Sequence, residues 1–181
     1  DIESVLIEDV PWAEARLLWK ARLARMAERF VEGEKTRRTI AQPTLFETKG
    51  KSTLSDPEFT LTAEADRIDV DAQGRFHIYD YKTGTPPSKD VQKLFDKQLL
   101  LEAAIAVRNG CGDLPPAPVS RAVFVGLGSG GSEVPAPIDT ETPDVVWEEF
   151  RQLISDYFGE SQGFTARRSP QSIRDEGDYD H

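Results

Sequence analysis

The sequence predicts an α/β fold in which a mixed central sheet is flanked by helices. Helical periodicity, with apolar residues three and four apart, marks residues 12–34, 88–108 and 142–157. Stretches rich in β-branched and aromatic residues stand between them. The order is helix, three strands, helix, strand, helix. A helical crossover thus precedes the last strand, which predicts that it lies parallel to a neighbour.

Residues 1–11 mix apolar and acidic types and read as the cut edge of a longer chain. From Trp12 to about Glu34, the residues Leu17, Leu18, Ala21, Ala24, Met26, Phe30 and Val31 form an apolar stripe. Pro11 suits the first turn and Gly33 a stop. Residues 39–54 favour a strand, with Pro43 at its entry or on an edge. Ser55-Asp56-Pro57 turns the chain into a second strand, Phe59 to Val70. Asp71-Ala72-Gln73-Gly74 makes a hairpin turn into a third, Arg75 to Lys82. Ser88 caps a helix running to about Arg108, with Val91, Leu94, Phe95, Leu101 and Ile105 as its stripe, and Asn109-Gly110 closes it. Val119 to Leu127 is a strand with a buried run Val123-Phe124-Val125, and residues 128–132 form a Gly/Ser loop. Thr142-Pro143 opens the last helix, whose apolar face is Val146, Phe150, Leu153, Ile154 and Tyr157. The organisation expected is one domain over residues 1–165, short of part of its N-terminal side, and a polar tail over 166–181.

With 181 residues, 38% hydrophobic and 30% charged, the chain suits one polar domain with a core. Its single cysteine, Cys111, excludes an internal disulfide, a Cys-rich zinc site and a cysteine-ligated iron–sulfur cluster, and fits a reducing cytoplasm. No apolar run is long enough to span a membrane, so no membrane partner is expected. The net charge of −10 disfavours a free-standing nucleic-acid binder and suits a domain working within a larger assembly.

The chemistry concentrates on the second and third strands. Residues two apart on a strand share a face, so Asp80 and Lys82 project together, continuing a face begun by Phe76 and Ile78. His77, Tyr79 and Tyr81 take the other face. The hairpin brings Asp66, on the same face as Ile68, alongside them. An isolated Asp-x-Lys is often a solvated couple, but charges at the end of an apolar face must be paired, metal-bound or shifted in pKa. Two carboxylates suit a hard divalent ion such as Mg²⁺ or Mn²⁺, with the Tyr81 carbonyl next in line as a further ligand. Lys82 would act as base or electrostatic stabiliser beside the attacking water or the phosphate. That set describes phosphodiester hydrolysis.

Gln98 lies on the apolar side of its helix, with Glu102 one turn further on. A buried-side glutamine needs partners, either the hairpin site or nearby backbone. Lys89, Lys93 and Lys97 form a basic stripe, and Lys35, Arg37, Arg38, Lys49 and Lys51 a second basic neighbourhood. Each is either a phosphate-contacting surface or an ordinary solvated face. His77 reads as structural or exposed, Cys111 as an inert thiol, and Trp12, Trp19 and Trp147 as core or interface.

Ala63-Glu64-Ala65-Asp66-Arg67-Ile68-Asp69, then Asp80-Tyr81-Lys82-Thr83-Gly84, then a helix with Gln98 resemble the RecB-type nuclease module of the PD-(D/E)XK superfamily. The run Gln98 to Ala104 and the closing Gly177 to His181 look like the C-terminal nuclease domain of AddB, of alphaproteobacterial type, in AddAB helicase–nucleases. The resemblance implies the restriction-endonuclease-like core and a Mg²⁺-dependent DNA exonuclease acting in double-strand-break repair by recombination. It also implies DNA and an AddA-like helicase–nuclease subunit as partners. Asp66 and Asp80 then carry over as metal ligands, Lys82 as the catalytic lysine and Gln98 as a supporting member of the catalytic set. The chain departs from the pattern at Ala63, where the family has glycine, and at Glu102, where a tyrosine is frequent. Many AddB relatives hold an iron–sulfur cluster through four cysteines, which one cysteine forbids. The family's upstream histidine or acid has no histidine to match it here; it lies before Asp1, or Glu28 or Glu32 replaces it. The competing reading is a DNA-end-binding or subunit-docking module with an incomplete site, and a third is a free-standing RecB-like nuclease.

Overall fold

The structure, a computed structural model, describes residues 2–128 and 132–159. Its elements are α1 (Ile2–Asp9), α2 (Ala13–Ile40), β1 (Ala41–Ser55), β2 (Glu58–Asp71), β3 (Phe76–Lys82), α3 (Lys89–Leu94), α4 (Gln98–Asn109), β4 (Val119–Gly126), β5 (Glu133–Pro135) and α5 (Pro143–Phe158). The strands form one five-stranded sheet in sequence order. β3 and β4 pair in parallel, as the crossover through α4 requires, and the other pairs are antiparallel. This is the mixed sheet with flanking helices that the sequence predicts. The proposed tail, residues 166–181, lies outside the described residues, as do residues 129–131 of the Gly/Ser loop.

The two faces of the sheet differ in chemistry. Under α4, Ile68, Phe76, Ile78, Ala122 and Phe124 meet Leu99, Leu100, Ala103 and Ala106, with Val146 of α5 behind them. Alanines on α4 let the helix sit close to the strands. Gly50 on β1 serves the same approach, because a Cβ there would come within 2.9 Å of Ile105. On the reverse face Tyr79, Val123 and Val125 form a smaller cluster with Tyr81. The C-terminal half of α2 covers it, placing Phe30 6.0 Å from the Tyr81 ring.

Several sequence expectations need correction. Gly33 does not stop α2, which runs on to Ile40. The absent Cβ leaves room for Arg37, whose Nη1 would lie 3.1 Å from it. Leu17, Leu18 and Val31 of the α2 stripe are exposed, as are Trp12 and Trp19, so the N-terminal part of this helix is not held by a core. The expected helix over 88–108 is two helices. Asp96 turns its carboxylate onto the Gln98 N–H, a local bond by which aspartate favours a turn over a continuing helix. The break shifts the phase, so Leu94 and Phe95 face solvent while Leu99, Leu100 and Ile105 are buried. It also divides the lysine stripe: Lys97 leaves Lys89 and Lys93 and ion-pairs with Glu149 of α5 at 2.6 Å. On α5, Leu153 is exposed rather than packed. α1 and β5 are elements that the sequence patterns do not mark.

The caps fall where their residues place them. Ser88 Oγ accepts from the Val91 N–H at 3.3 Å, and Thr142 Oγ1 from the Val145 N–H at 3.4 Å with Pro143 in the first turn. Pro11 sits before the Trp12 cap rather than inside the helix.

Candidate active site

The β2–β3 ladder runs from Val70–Phe76 to Arg67–Tyr79 and ends there. One rung further, Asp66 and Asp80 would oppose each other. Instead Asp66 Oδ2 accepts from the Tyr81 backbone N–H at 2.7 Å, so its carboxylate bridges the strands where the ladder opens. Ala65 and Ile68 both lie in the core under α4, though three residues apart. Regular alternation would put them on opposite faces, so it resets between them. Glu47 falls opposite Asp66 in the β1–β2 register and has a left-handed backbone, φ 46°. Asp66 therefore sits at an irregularity, rather than on the regular Ile68 face that strand periodicity suggests.

Asp80 and Lys82 leave β3 toward α4, as alternation requires. Asp80 is only 4% exposed. Lys82 Nζ lies 2.9 Å from Asp80 Oδ2 and 5.1 Å from the Phe124 ring centre, and it donates to Gln98 Oε1 at 3.0 Å. Gln98, in the first turn of α4, donates through Nε2 to Asp80 Oδ1 at 2.5 Å and to Glu102 Oε1 at 3.1 Å. Asp80 Oδ2 receives no directed hydrogen bond and has the Lys82 ammonium beside it. Burial drives the Glu102 carboxyl up to about 7; Asp80 and Asp66 add to the rise, while the Gln98 bond and Lys82 oppose it. Asp66, Asp80, Lys82 and Gln98 thus come together, and Glu102 joins them from beneath.

The alternate residues of the same two strands build something else. Arg67 holds Asp69 through both nitrogens, at 2.6 Å each, and reaches Glu34 of α2 at 2.5 Å and the Tyr81 hydroxyl at 3.2 Å. Glu34 also accepts from Arg37 and Arg38, and Arg37 continues to Glu133 of β5 at 2.5 Å. Burial raises the Glu34 carboxyl, but the bonds from Arg67 and Arg38 and the surrounding guanidiniums outweigh it and hold it down at about 2. The Tyr79 ring lies between Arg67 and Arg37, 5.4 and 5.8 Å from their guanidinium carbons. This network ties α2 to the sheet. Sequence reasoning missed it, although the signal was present: Arg67 and Asp69 alternate with Asp66 and Ile68, so they had to face the tyrosines of β3.

The network corrects the second basic neighbourhood. Arg37 is buried and so is no part of a phosphate-contacting face, while Lys35, Arg38, Lys49 and Lys51 remain on the surface, Lys35 pairing with Glu32 at 2.6 Å. Glu32 is spent on that surface pair and Glu28 is exposed; the α2 acid that reaches the sheet is Glu34. His77 is structural: its Nε2 lies 3.2 Å from Asp71 Oδ2, inside the fold. Cys111 is buried and its thiol is pushed up to about 11, first by burial and then by Glu102.

Residues 3–171 match the family model of the PD-(D/E)XK nuclease superfamily. The chain belongs to that superfamily. PD-(D/E)XK enzymes are generally metal-dependent nucleases, so membership points to the nuclease class and to divalent-metal chemistry. Among curated proteins, 95 residues, 51% of this chain, are 30% identical to an uncharacterized protein of Rickettsia conorii, covering 11% of it. A Rickettsia felis protein matches to the same extent, and one from Rickettsia typhi is 28% identical over 109 residues, 59% of this chain and 13% of its own. The chain therefore spans about a tenth of the length of these relatives. No helix among the described residues is long and apolar enough to cross a membrane.

The fit of a divalent ion can be judged from the donors. No three His, Cys, Asp or Glu side chains among the described residues group closely enough to hold a metal by themselves. Mg²⁺ does not need three, since one or two carboxylates with waters and phosphate oxygens commonly complete its shell. Asp66 and Asp80 are hard oxygen donors, and Asp80 Oδ2 is a buried oxygen that receives no directed hydrogen bond, with the Lys82 ammonium beside it. The residues present fit such an ion.

Proposed function

We propose that this chain is a Mg²⁺- or Mn²⁺-dependent deoxyribonuclease module, hydrolysing DNA phosphodiester bonds as an exonuclease. The observation that carries the reading is the joining of Asp80, Lys82 and Gln98 in one hydrogen-bonded unit at the open end of the β2–β3 ladder, with Asp66 across the gap. Asp66, Asp80 and the Tyr81 carbonyl would hold the ion, which when bound polarises a phosphate oxygen and acidifies water. Lys82 is the residue this chain sets beside the phosphate: one-third exposed, it places positive charge where negative charge develops. Gln98 keeps Lys82 and Asp80 in register, and α4 shuts water out from below.

We further propose that the module serves an AddB-type subunit of a helicase–nuclease, partnered by an AddA-like subunit, in recombinational repair of double-strand breaks in the cytoplasm. Support comes from the Gln98 to Ala104 run and from relatives about nine times longer than the segment they share with this chain.

A test is to incubate the purified protein with Mg²⁺ or Mn²⁺ and labelled single-stranded DNA, beside Asp80→Ala and Lys82→Ala. Cutting should require the metal and disappear in both variants. Equal cutting by the variants would overturn the assignment. One observation favours a second reading, a docking or DNA-end-binding module: Val5, Ile7, Leu17, Leu18 and Trp19 leave apolar surface on α1 and α2. Metal-independent DNA binding without cutting, in a longer polypeptide as well, would select it.

A further inference from the structure

Glu102 occupies an expensive position. It is 5% exposed, its Oε2 is buried without a hydrogen-bond partner, and its surroundings are Ala65, Ile78, Ile105 and Cys111. A leucine would suit those neighbours better, because an unpaired buried carboxyl oxygen costs free energy that an apolar side chain does not. Packing therefore does not account for an acid here. The contact that does is the bond from Gln98 Nε2 to Glu102 Oε1.

Gln98 has one acceptor and two N–H donors. The Lys82 ammonium can only donate, so the carboxamide oxygen must face it, as it does at 3.0 Å. Both N–H groups then point toward carboxylates. Asp80 takes one and Glu102 the other. A carboxamide flipped by half a turn would present N–H groups to the ammonium and its oxygen to carboxylates. Asp80 alone leaves the second N–H without a partner and the rotor less constrained.

We propose that Glu102 is a positioning residue: by accepting the second N–H of Gln98 it fixes the carboxamide in the orientation that joins Asp80 to Lys82. The role rests on the nuclease reading of Asp80 and Lys82, and Glu102 acts through Gln98 rather than on the phosphate. Ionised or neutral, the carboxyl keeps an oxygen able to accept, so the tether holds in both forms.

The test uses Glu102→Gln, which retains an acceptor oxygen, and Glu102→Leu, which retains volume without one; Glu102→Met replaces the leucine variant if branching prevents folding. Three quantities are measured: kcat and KM on labelled single-stranded DNA with Mg²⁺, the midpoint of thermal unfolding, and the side-chain NH₂ resonances of Gln98, assigned by their loss in Gln98→Leu. In Glu102→Leu, kcat should fall about 10-fold or more with KM within about 3-fold, the loss expected from a misplaced catalytic group. Its unfolding midpoint should stay level or rise, and the Gln98 NH₂ protons should lose their protection from exchange. Glu102→Gln should keep kcat within about 3-fold of the parent and keep the protected pair, an acceptor being all that is required. Parental kcat with protected Gln98 protons in Glu102→Leu would overturn the proposal, as would equal kcat losses in the two variants. If the parent protein does not cut DNA, the nuclease reading fails, and the Gln98 resonances alone decide whether Glu102 sets the carboxamide.

Discussion

Arg67 and Asp69, two residues apart on β2, form a bidentate ion pair with both N···O distances at 2.6 Å and Asp69 fully buried. The pair faces away from Ile68 toward α2, where Glu34 closes it. Truncating one member leaves the other charged and buried. Asp69→Ala should therefore lower unfolding free energy by about 3–5 kcal/mol, the usual cost of breaking a buried pair. Urea denaturation monitored by circular dichroism measures it. Cutting per folded molecule should be unchanged, which separates this pair from Asp66 beside it.

Lys82 should not tolerate arginine. Its ammonium fits between Gln98 Oε1, Asp80 Oδ2 and the Phe124 ring. A planar guanidinium is larger and directs its donors in a fixed fork. Lys82→Arg should lose on the order of 10²-fold or more in kcat, close to the loss of a stabilising donor altogether. Steady-state cleavage of labelled DNA checks this, with the unfolding midpoint near that of the parent.

Two carboxyls should give stability opposite dependences on pH. The Glu34 carboxyl is lower in the fold, at about 2, than its ordinary 4.5. Its contribution is present above about pH 4.5 and is lost as pH falls toward 2. The Glu102 carboxyl is higher in the fold, at about 7. Between 4.5 and about 7 the unfolded chain holds fewer protons there than the folded one, so the contribution of Glu102 weakens as pH rises through that window. Without divalent ions, urea midpoints of the parent and Glu102→Leu should diverge from pH 5 to 7.5, the variant losing less. Parallel curves would refute the burial of Glu102.

The exposed leucines of the N-terminal part of α2 should be nearly silent for stability. Leu17→Gln and Leu18→Gln alter exposed positions and should stay within about 0.5 kcal/mol. Ile78→Ala, beneath α4 with no exposure, should cost about 2–5 kcal/mol. Chemical denaturation of the three variants gives the comparison.

Those leucines show where sequence reading reaches its limit. Strand alternation placed Asp80 and Lys82 on one face correctly because β3 is regular and buried on both sides. The helix crossover fixed the parallel β3–β4 pairing, and Ser88 and Thr142 marked their helices through their own side chains. Periodicity in α2 identified the helix but not what it faces, since a stripe has the same spacing whether or not a core lies opposite. The α3–α4 break escaped because no proline or glycine marks it; the Asp96 carboxylate accepts from the Gln98 N–H there instead. The reset at Asp66 escaped because it needs the β1 register and the backbone of Glu47. The Glu34–Arg67–Asp69 network joins positions too distant in sequence for spacing to connect.

β3 alternates two vocabularies: acid and amine on one side, aromatic rings on the other. A slip of one residue against β2 would hand α4 the phenols of Tyr79 and Tyr81 and bury Asp80 and Lys82 among the α2 guanidiniums. No intermediate register is serviceable, because Arg67 would lose its place over Tyr79 in the same movement that took Asp80 and Lys82 away from Gln98. Pairing errors during folding would thus break the charged clusters on both faces of the sheet at once, and a strand this short favours its own alignment.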